Sequence, residues 1–217
     1  MKVGTDAVLL GAWVDVEGAH SILEVGAGSG VISLMLAQRT PPQTKIEAIE
    51  IEQDDARQAH ENVARSPWPE KIKVHHQSFQ SFNSKNQYDL IISNPPYFIN
   101  SQLSPSNKRT QARHTSSLSY IDLIECAIKL LTSSGRLAVV LPFEEGKYFQ
   151  SLASKNNLHV IRQLAFFSRQ GKPQERWLFE FGLEVTELVT DTLILHGKGE
   201  EWSDEYNILT KDFYLKA

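Results

Sequence analysis

Cysteine is nearly absent: Cys126 stands alone among 217 residues. No disulfide can form within the chain, which excludes a small disulfide-stapled scaffold. In the apolar-periodic stretch 120–131 that lone thiol reads as a small core residue rather than a nucleophile. No apolar run approaches the roughly 20 residues a membrane-crossing helix needs. The opening Met1 to Asp6 lacks the apolar core and cleavage site of a secretory signal, and the unpaired Cys126 makes a reducing cytoplasm the expected location. Metal-ligand spacing is missing too: there is no cysteine pair, and His75 and His76, adjacent on an expected strand, face opposite ways. No metal is expected. Without repeats or low-complexity linkers, residues 1–217 are expected to form one domain, and the expected state is a monomer.

Hydrophobic residues make up 41% and charged residues 22% of the chain, in the range of a globular protein with a substantial core. The net charge of −4 speaks against a protein that coats nucleic acid. Its distribution is uneven. No acid lies between Asp89 and Asp122, where Lys108, Arg109, Arg113 and His114 fall. None lies from Gly146 to Gln174 either, where Lys147, Lys155, Arg162, Arg169 and Lys172 fall. Acids gather instead near Glu47 to Glu61 and Glu180 to Glu205. Such asymmetry places local positive surface on an acidic protein, or else reflects ordinary solvated charge.

Strand and helix signals alternate. Expected strands are 21–25, 45–51, 72–76, 88–93, 136–141, 158–167 and 176–182. Expected helices are the stretch from Val31 to Ala37, then 54–65 with Asp54 as its cap, 120–131 and 144–156. The stretch 98–119 reads as a long polar loop, and Ser134-Gly135 as a turn. Repeated alternation implies a Rossmann-like α/β fold, a mostly parallel sheet with helices on both faces. The short Gly171-Lys172-Pro173 connection implies an antiparallel last strand.

The first candidate site is the loop Glu24-Val25-Gly26-Ala27-Gly28-Ser29-Gly30, which follows a strand and opens a helix. Gly26, Gly28 and Gly30 let the backbone turn sharply and approach a ligand without a Cβ in the way. Their spacing departs from the dinucleotide fingerprint, and no lysine is present to hold phosphates. Glu24 beside the loop repels pyrophosphate and suits a cationic or amino-bearing ligand. Glu50, about 20 residues on and at a strand end, is placed to accept hydrogen bonds from ribose hydroxyls. Together these favour S-adenosyl-L-methionine over a nicotinamide dinucleotide.

The second candidate site is Asn94-Pro95-Pro96-Tyr97, at the carboxyl end of the fourth strand, where open α/β sheets bind ligands. A planar amine is a poor nucleophile because its lone pair is delocalised. The Asn94 side-chain oxygen and the Pro95 carbonyl, accepting its two N–H groups, favour a more pyramidal nitrogen aimed at a sulfonium methyl. Pro95 and Pro96 stiffen the backbone presenting those acceptors. Tyr97 offers a ring on which the target base stacks.

These motifs resemble those of class I S-adenosylmethionine-dependent amino-methyltransferases. The resemblance implies a seven-stranded sheet and that cofactor, with Asn94 beside it. A closer likeness is to the bacterial tRNA(Val) (adenine-N6)-methyltransferase family, which modifies an adenine next to the anticodon. It is carried by Lys2-Val3-Gly4-Thr5-Asp6 through Trp13, by Leu34 to Arg39, and by Asn62-Val63 with Ser66-Pro67-Trp68. Ser93 to Phe98, Ala112-Arg113-His114, Ser168 to Pro173 and Asp212 to Leu215 extend it over nearly the whole chain. The resemblance implies that Thr5 and Asp6 lie near the cofactor and Arg113 and His114 near the RNA entrance, with tRNA as the partner. Lys108, Arg109, Arg169 and Lys172 then hold the RNA backbone. The family carries further residues before Lys2, so a short N-terminal segment is expected to be missing. Where many class I enzymes place an aspartate for the cofactor's adenine amine, this chain has His76-Gln77-Ser78-Phe79; Ser78 takes that place and Phe79 packs on the adenine.

Two other readings remain open at the level of sequence. The same tetrapeptide suits a side-chain amide, as in protein glutamine N5-methyltransferases acting on release factors, or another RNA or DNA amino group. An RNA-binding module with an inactive methyltransferase fold is the non-enzymatic alternative, against which the intact Asn94 to Tyr97 motif speaks.

Overall fold

The computed structural model describes residues 4–96 and 118–214. In chain order the elements are α1 (Thr5–Trp13), β1 (Ser21–Val25), α2 (Val31–Arg39), β2 (Lys45–Glu50), α3 (Gln53–Ala64), β3 (Ile72–His76), a 3-10 turn (Phe79–Ser81), β4 (Tyr88–Ser93), α4 (Tyr120–Leu130), β5 (Leu131–Pro142), α5 (Phe143–Lys155), β6 (His159–Arg169), β7 (Arg176–Gly182), β8 (Val189–His196) and α6 (Asp204–Thr210). The strands form one sheet in the order β3-β2-β1-β4-β5-β7-β6-β8. β1 to β5 run parallel, and β7 is antiparallel to both of its neighbours. The order reverses between β1 and β4, so the crevice for a ligand opens at their carboxyl ends.

Apolar side chains cover both faces of the sheet, which is why its central strands are nearly continuous hydrophobic runs. On one face Leu9, Leu10 and Trp13 of α1, Ile32 and Leu36 of α2 and Val63 of α3 pack on Ile22, Leu90, Ile92 and Val140. On the other, Leu123 and Ile124 of α4 and Phe149 of α5 pack on Leu23, Ile91, Val139 and Phe179. Cys126 is half-buried at the margin of this second cluster, and burial pushes its thiol pKa up. Among the described residues no helix is long and apolar enough to cross a membrane.

Four local features depart from the sequence reading. α1 carries no sequence signal: Ala7 to Trp13 are all buried, so the helix shows no polar face to betray its period. Asp54 does not cap α3: Glu52 occupies the cap position, and Asp54 and Asp55 sit in the first turn, where carboxylates suit the helix dipole. Ser134-Gly135 is no turn between elements but an irregularity inside β5, where the pairing register shifts between Tyr88 and Leu90. A Cβ on Gly135 would stand 2.7 Å from the Tyr88 carbonyl oxygen, so the close strand approach requires glycine. An eighth strand, β8, joins the sheet parallel to β6; its first half is polar and exposed, which hides it from pattern reading.

Candidate active site

β1 and β4 are hydrogen-bonded neighbours, with Val25 opposite Ser93 in a parallel register. The Ser93 hydroxyl donates to the Val25 carbonyl at 2.8 Å, fixing the two strand ends together. Gly26 and Asn94 are therefore the first residues beyond a paired rung, one strand spacing apart, about 4.8 Å between backbones. Asn94 is partly buried, Pro95 buried and Pro96 exposed. Both sequence-derived segments thus stand side by side at the carboxyl edge of the sheet. Tyr97, Lys108, Arg109, Arg113 and His114 lie outside the described residues.

The glycine loop is held from below and from the side. The Gly26 and Ala27 amides donate to the Ile49 carbonyl at 2.9 and 3.0 Å, and the Gly28 amide donates to Glu50 Oε2 at 2.7 Å. Glu50 Oε1 accepts from the Glu52 amide at 2.9 Å, so one carboxylate ties the loop to the start of α3. Asn62 Nδ2 donates to the Ser29 carbonyl at 2.9 Å, a third tether from α3. Gly26, Gly28 and Gly30 all have positive φ, which favours glycine at each turn of the loop. A Cβ on Gly26 would meet no protein atom within 4 Å, so its outer side is open to a ligand.

Glu24 lies beneath the loop and is 1% exposed. Its Oε2 accepts from the Ser33 amide at 2.9 Å and from the Ser33 hydroxyl, holding the first turn of α2. Burial pushes its carboxyl pKa up to about 8, against the pull of the Ser33 hydrogen bonds, and the nearby Glu50 charge adds to the rise. Chemically, Glu50 retains acceptor capacity, because a carboxylate has about four lone-pair sites and two are used.

The remaining candidates spread along the same edge. The Ser78 hydroxyl caps the 3-10 turn, accepting from the Ser81 amide at 3.3 Å and donating to Ser81 Oγ at 2.9 Å. Phe79 is buried with Val25 and Ile49, beneath the strand ends. Thr5 is exposed at the start of α1. Asp6 Oδ2 accepts from Arg176 Nε at 3.0 Å, which brings α1 to the head of β7. Arg176 pairs with Pro142 at the end of β5, so Thr5 and Asp6 reach the shared edge on its β5–β7 side. Lys172 is exposed on the β6–β7 turn at that edge. Arg169 donates to the Gly199 carbonyl at 2.7 Å and pairs with Glu200 at 3.0 Å.

Sequence reasoning singled out neither Ser33, Asn62, Ser93 nor Arg176 for the site. Their partners lie 9 to 170 positions away, and no local pattern encodes such pairs. A cavity of about 480 Å³ beside His75 and Lys45 and another of about 600 Å³ beside Trp68 and Phe213 contain none of the candidate residues.

Residues 3–163 match the family model of the methyltransferase small domain. A Bacteroides thetaiotaomicron tRNA1(Val) (adenine(37)-N6)-methyltransferase is 41% identical over 99% of this chain and 91% of its own length. A Yersinia pseudotuberculosis protein of the same name is 45% identical over 99% of this chain and 86% of its own length. Among solved structures, a predicted O-methyltransferase from Agrobacterium tumefaciens superimposes with a TM-score of 0.74 over 98% of this chain and 99% of that chain. At 18% identity, it speaks for the fold alone.

Proposed function

We infer the chemistry of this chain from one premise: it belongs to the tRNA1(Val) (adenine(37)-N6)-methyltransferase family. It is an enzyme that methylates the exocyclic N6 of an adenine in tRNA, next to the anticodon of valine tRNA. The amide-directed and non-enzymatic alternatives are disfavoured by relatives that match this chain almost end to end.

The residues of the β1 side fit S-adenosyl-L-methionine. Glu50 would accept from the ribose hydroxyls with the lone pairs left over from Gly28 and Glu52. The open side of Gly26 would leave room for the donor beside the backbone, and the loop has no lysine that would select phosphate. Glu24 supports the loop from beneath through Ser33. Ser78 and Phe79 form the wall on the adenine side, Ser78 through its hydroxyl and Phe79 by packing beneath the ends of β1 and β2. Thr5 and Asp6 close the β5–β7 side. When bound, this cofactor supplies an electrophilic methyl group on sulfur.

Asn94 and Pro95 do the work on the acceptor. The Asn94 side-chain oxygen and the Pro95 carbonyl accept the two N6 hydrogens, drawing the nitrogen lone pair out of the ring and towards the methyl. Pro96 and Pro95 keep these acceptors from relaxing, and Tyr97 supplies a ring against which the base lies. Acceleration would come chiefly from the orientation that these acceptors impose on the amine. An anticodon-loop adenine is already unpaired, so drawing it into the crevice costs less than in a duplex. Lys172, with Lys108, Arg109, Arg113, His114 and Arg169, would hold the surrounding phosphates; the exposed Arg169–Glu200 pair is weak enough to yield to one.

The observation that carries this reading is the Val25–Ser93 rung, which sets the glycine loop and Asn94 side by side. Nucleoside analysis of tRNA incubated with the enzyme and cofactor tests it. N6-methyladenosine is expected with the natural sequence. Asn94→Ala is expected to lower turnover ~100-fold, the scale lost when a positioned group leaves the transition state, with cofactor affinity retained. Near-normal turnover in Asn94→Ala would refute the mechanism.

A further inference from the structure

Tyr148 is the most exposed aromatic residue among those described, at 60%. It sits in α5, which starts directly from the end of β5 and therefore opens on the same edge as Asn94. At 1.5 Å per residue, Tyr148 is about 8 Å below the first residue of α5. Its ring lies 6.4 Å from that of Tyr120, tilted by 49°. Tyr120 is the first residue of α4, is itself buried, and stands edge-on to Phe149 at 5.4 Å. α4 also meets the Phe79 turn, where Gln80 Nε2 donates to Asp122 Oδ2 at 3.5 Å. Phe79 and Tyr120 are thus buried in the same core cluster, and Tyr148 carries the aromatic contact of Tyr120 outward to solvent.

A cation stands over another ring of the same helix. Lys147 Nζ stands 3.8 Å above the Phe143 ring, and Phe143 stacks on Trp177 at 6.2 Å and 19°. Lys172 projects from the neighbouring β6–β7 turn on the same edge. Glu144 pairs with Lys147 at 3.6 Å, and Glu145 stands in the same first turn, so the immediate margin of the Tyr148 ring carries a net negative charge. An exposed ring face with an acidic margin and Lys172 set further out matches a nucleotide lying base-inward, with its phosphate turned away from the carboxylates and towards that cation.

We propose that Tyr148, backed by Tyr120, is the stacking platform for an unpaired base flanking the target adenine of the substrate RNA. This rests on the reading of the chain as a tRNA adenine methyltransferase. Extruding one base from a loop breaks its stacking with both neighbours, and a ring at the rim replaces one of those contacts. Stacking is tolerant of base identity because every base has a π-face, so the platform supports binding rather than sequence choice. A tyrosine suits the role: its two side-chain torsions leave little freedom to lose, and Tyr120 already limits them.

The test uses tRNA and an anticodon stem-loop RNA carrying 2-aminopurine next to the target adenine. With the natural enzyme the probe's fluorescence is expected to fall on binding, as the base stacks. Tyr148→Ala should raise the KM for tRNA roughly tenfold, on the scale of one stacked base, with kcat little changed, unchanged cofactor affinity and no quenching of the probe. Tyr148→Phe should restore both KM and quenching, since the ring and not the hydroxyl does the stacking. An unaltered KM and undiminished quenching in Tyr148→Ala overturn the platform. If the natural enzyme methylates tRNA while Tyr148→Ala is indifferent, the platform alone falls; if it methylates no tRNA, the functional reading falls with it.

Discussion

Glu24 carries a tension that the site depends on. Its carboxyl supports the first turn of α2 through Ser33, yet burial makes its charged form unfavourable and lifts its pKa from 4.5 to about 8. The folded state therefore holds a proton that the unfolded chain releases near its ordinary value. Between those two values the folded protein binds more protons, so stability falls as pH rises and levels off above the folded pKa. The accumulated loss is on the order of a few kcal/mol. Glu24→Gln keeps an oxygen to accept from Ser33 but has nothing to ionise. Thermal melts from about pH 5 to about pH 9 are expected to show the natural protein losing ground to Glu24→Gln across that window. Parallel curves would mean that the Glu24 carboxyl titrates near its ordinary value, and that the charge beneath the loop is present throughout.

At the scale of elements, the passage from β1 to α2 depends on Gly30, the residue that caps α2 from a left-handed conformation (φ 79°). An alanine there costs about 1–2 kcal/mol in backbone strain, and its Cβ would press within 3.4 Å of Ala59 on α3. Gly26 is equally left-handed but faces open space. Gly30→Ala should lower stability by about 1–2 kcal/mol in denaturant unfolding and weaken cofactor binding, because the loop and α3 move together. Gly26→Ala should bring the strain without the α3 contact. Equal stability of Gly30→Ala and the natural protein would refute this account of the turn. The sequence made such features legible where an apolar run ends at a turn signal: β1, β3, β4 and β7 have the bounds expected of them. The position of Glu50 and Asn94 at strand ends was legible for the same reason, since such ends in an alternating α/β chain announce a ligand edge. α1 and β8 escaped because one is apolar all round and the other half polar, so neither shows a period. Pairs such as Asp6–Arg176 and Glu24–Ser33 escaped because only the folded topology brings them together.

For the whole molecule the question is how a chain of net charge −4 receives a polyanion. The ligand edge holds acids in the first turns of α3 and α5, Asp54, Asp55, Glu144 and Glu145, so any cation exposed there has a local part to play. Towards the amino ends of β4 and β5, Glu180, Asp15, Arg136 and Arg162 satisfy one another, with Asp15 and Arg136 at 2.7 Å and Arg162 and Glu180 at 3.5 Å. On the ligand edge Lys172 is exposed and lies beside the crevice. A phosphate contact there releases counterions, so tRNA affinity should fall as salt rises, with a slope set by the number of contacts. Lys172→Glu should weaken tRNA binding and make that slope shallower by about one unit, with cofactor affinity and melting temperature unchanged because the side chain supports no packing. Lys45→Glu makes the matched control: Lys45 is exposed at the amino end of β2, on the opposite edge, and carries the same change in net charge. If the two variants lose tRNA affinity equally, overall charge governs the encounter and the ligand edge has no special part. If only Lys172→Glu does so, the RNA lies across the β6–β7 turn, within reach of the crevice where Asn94 waits.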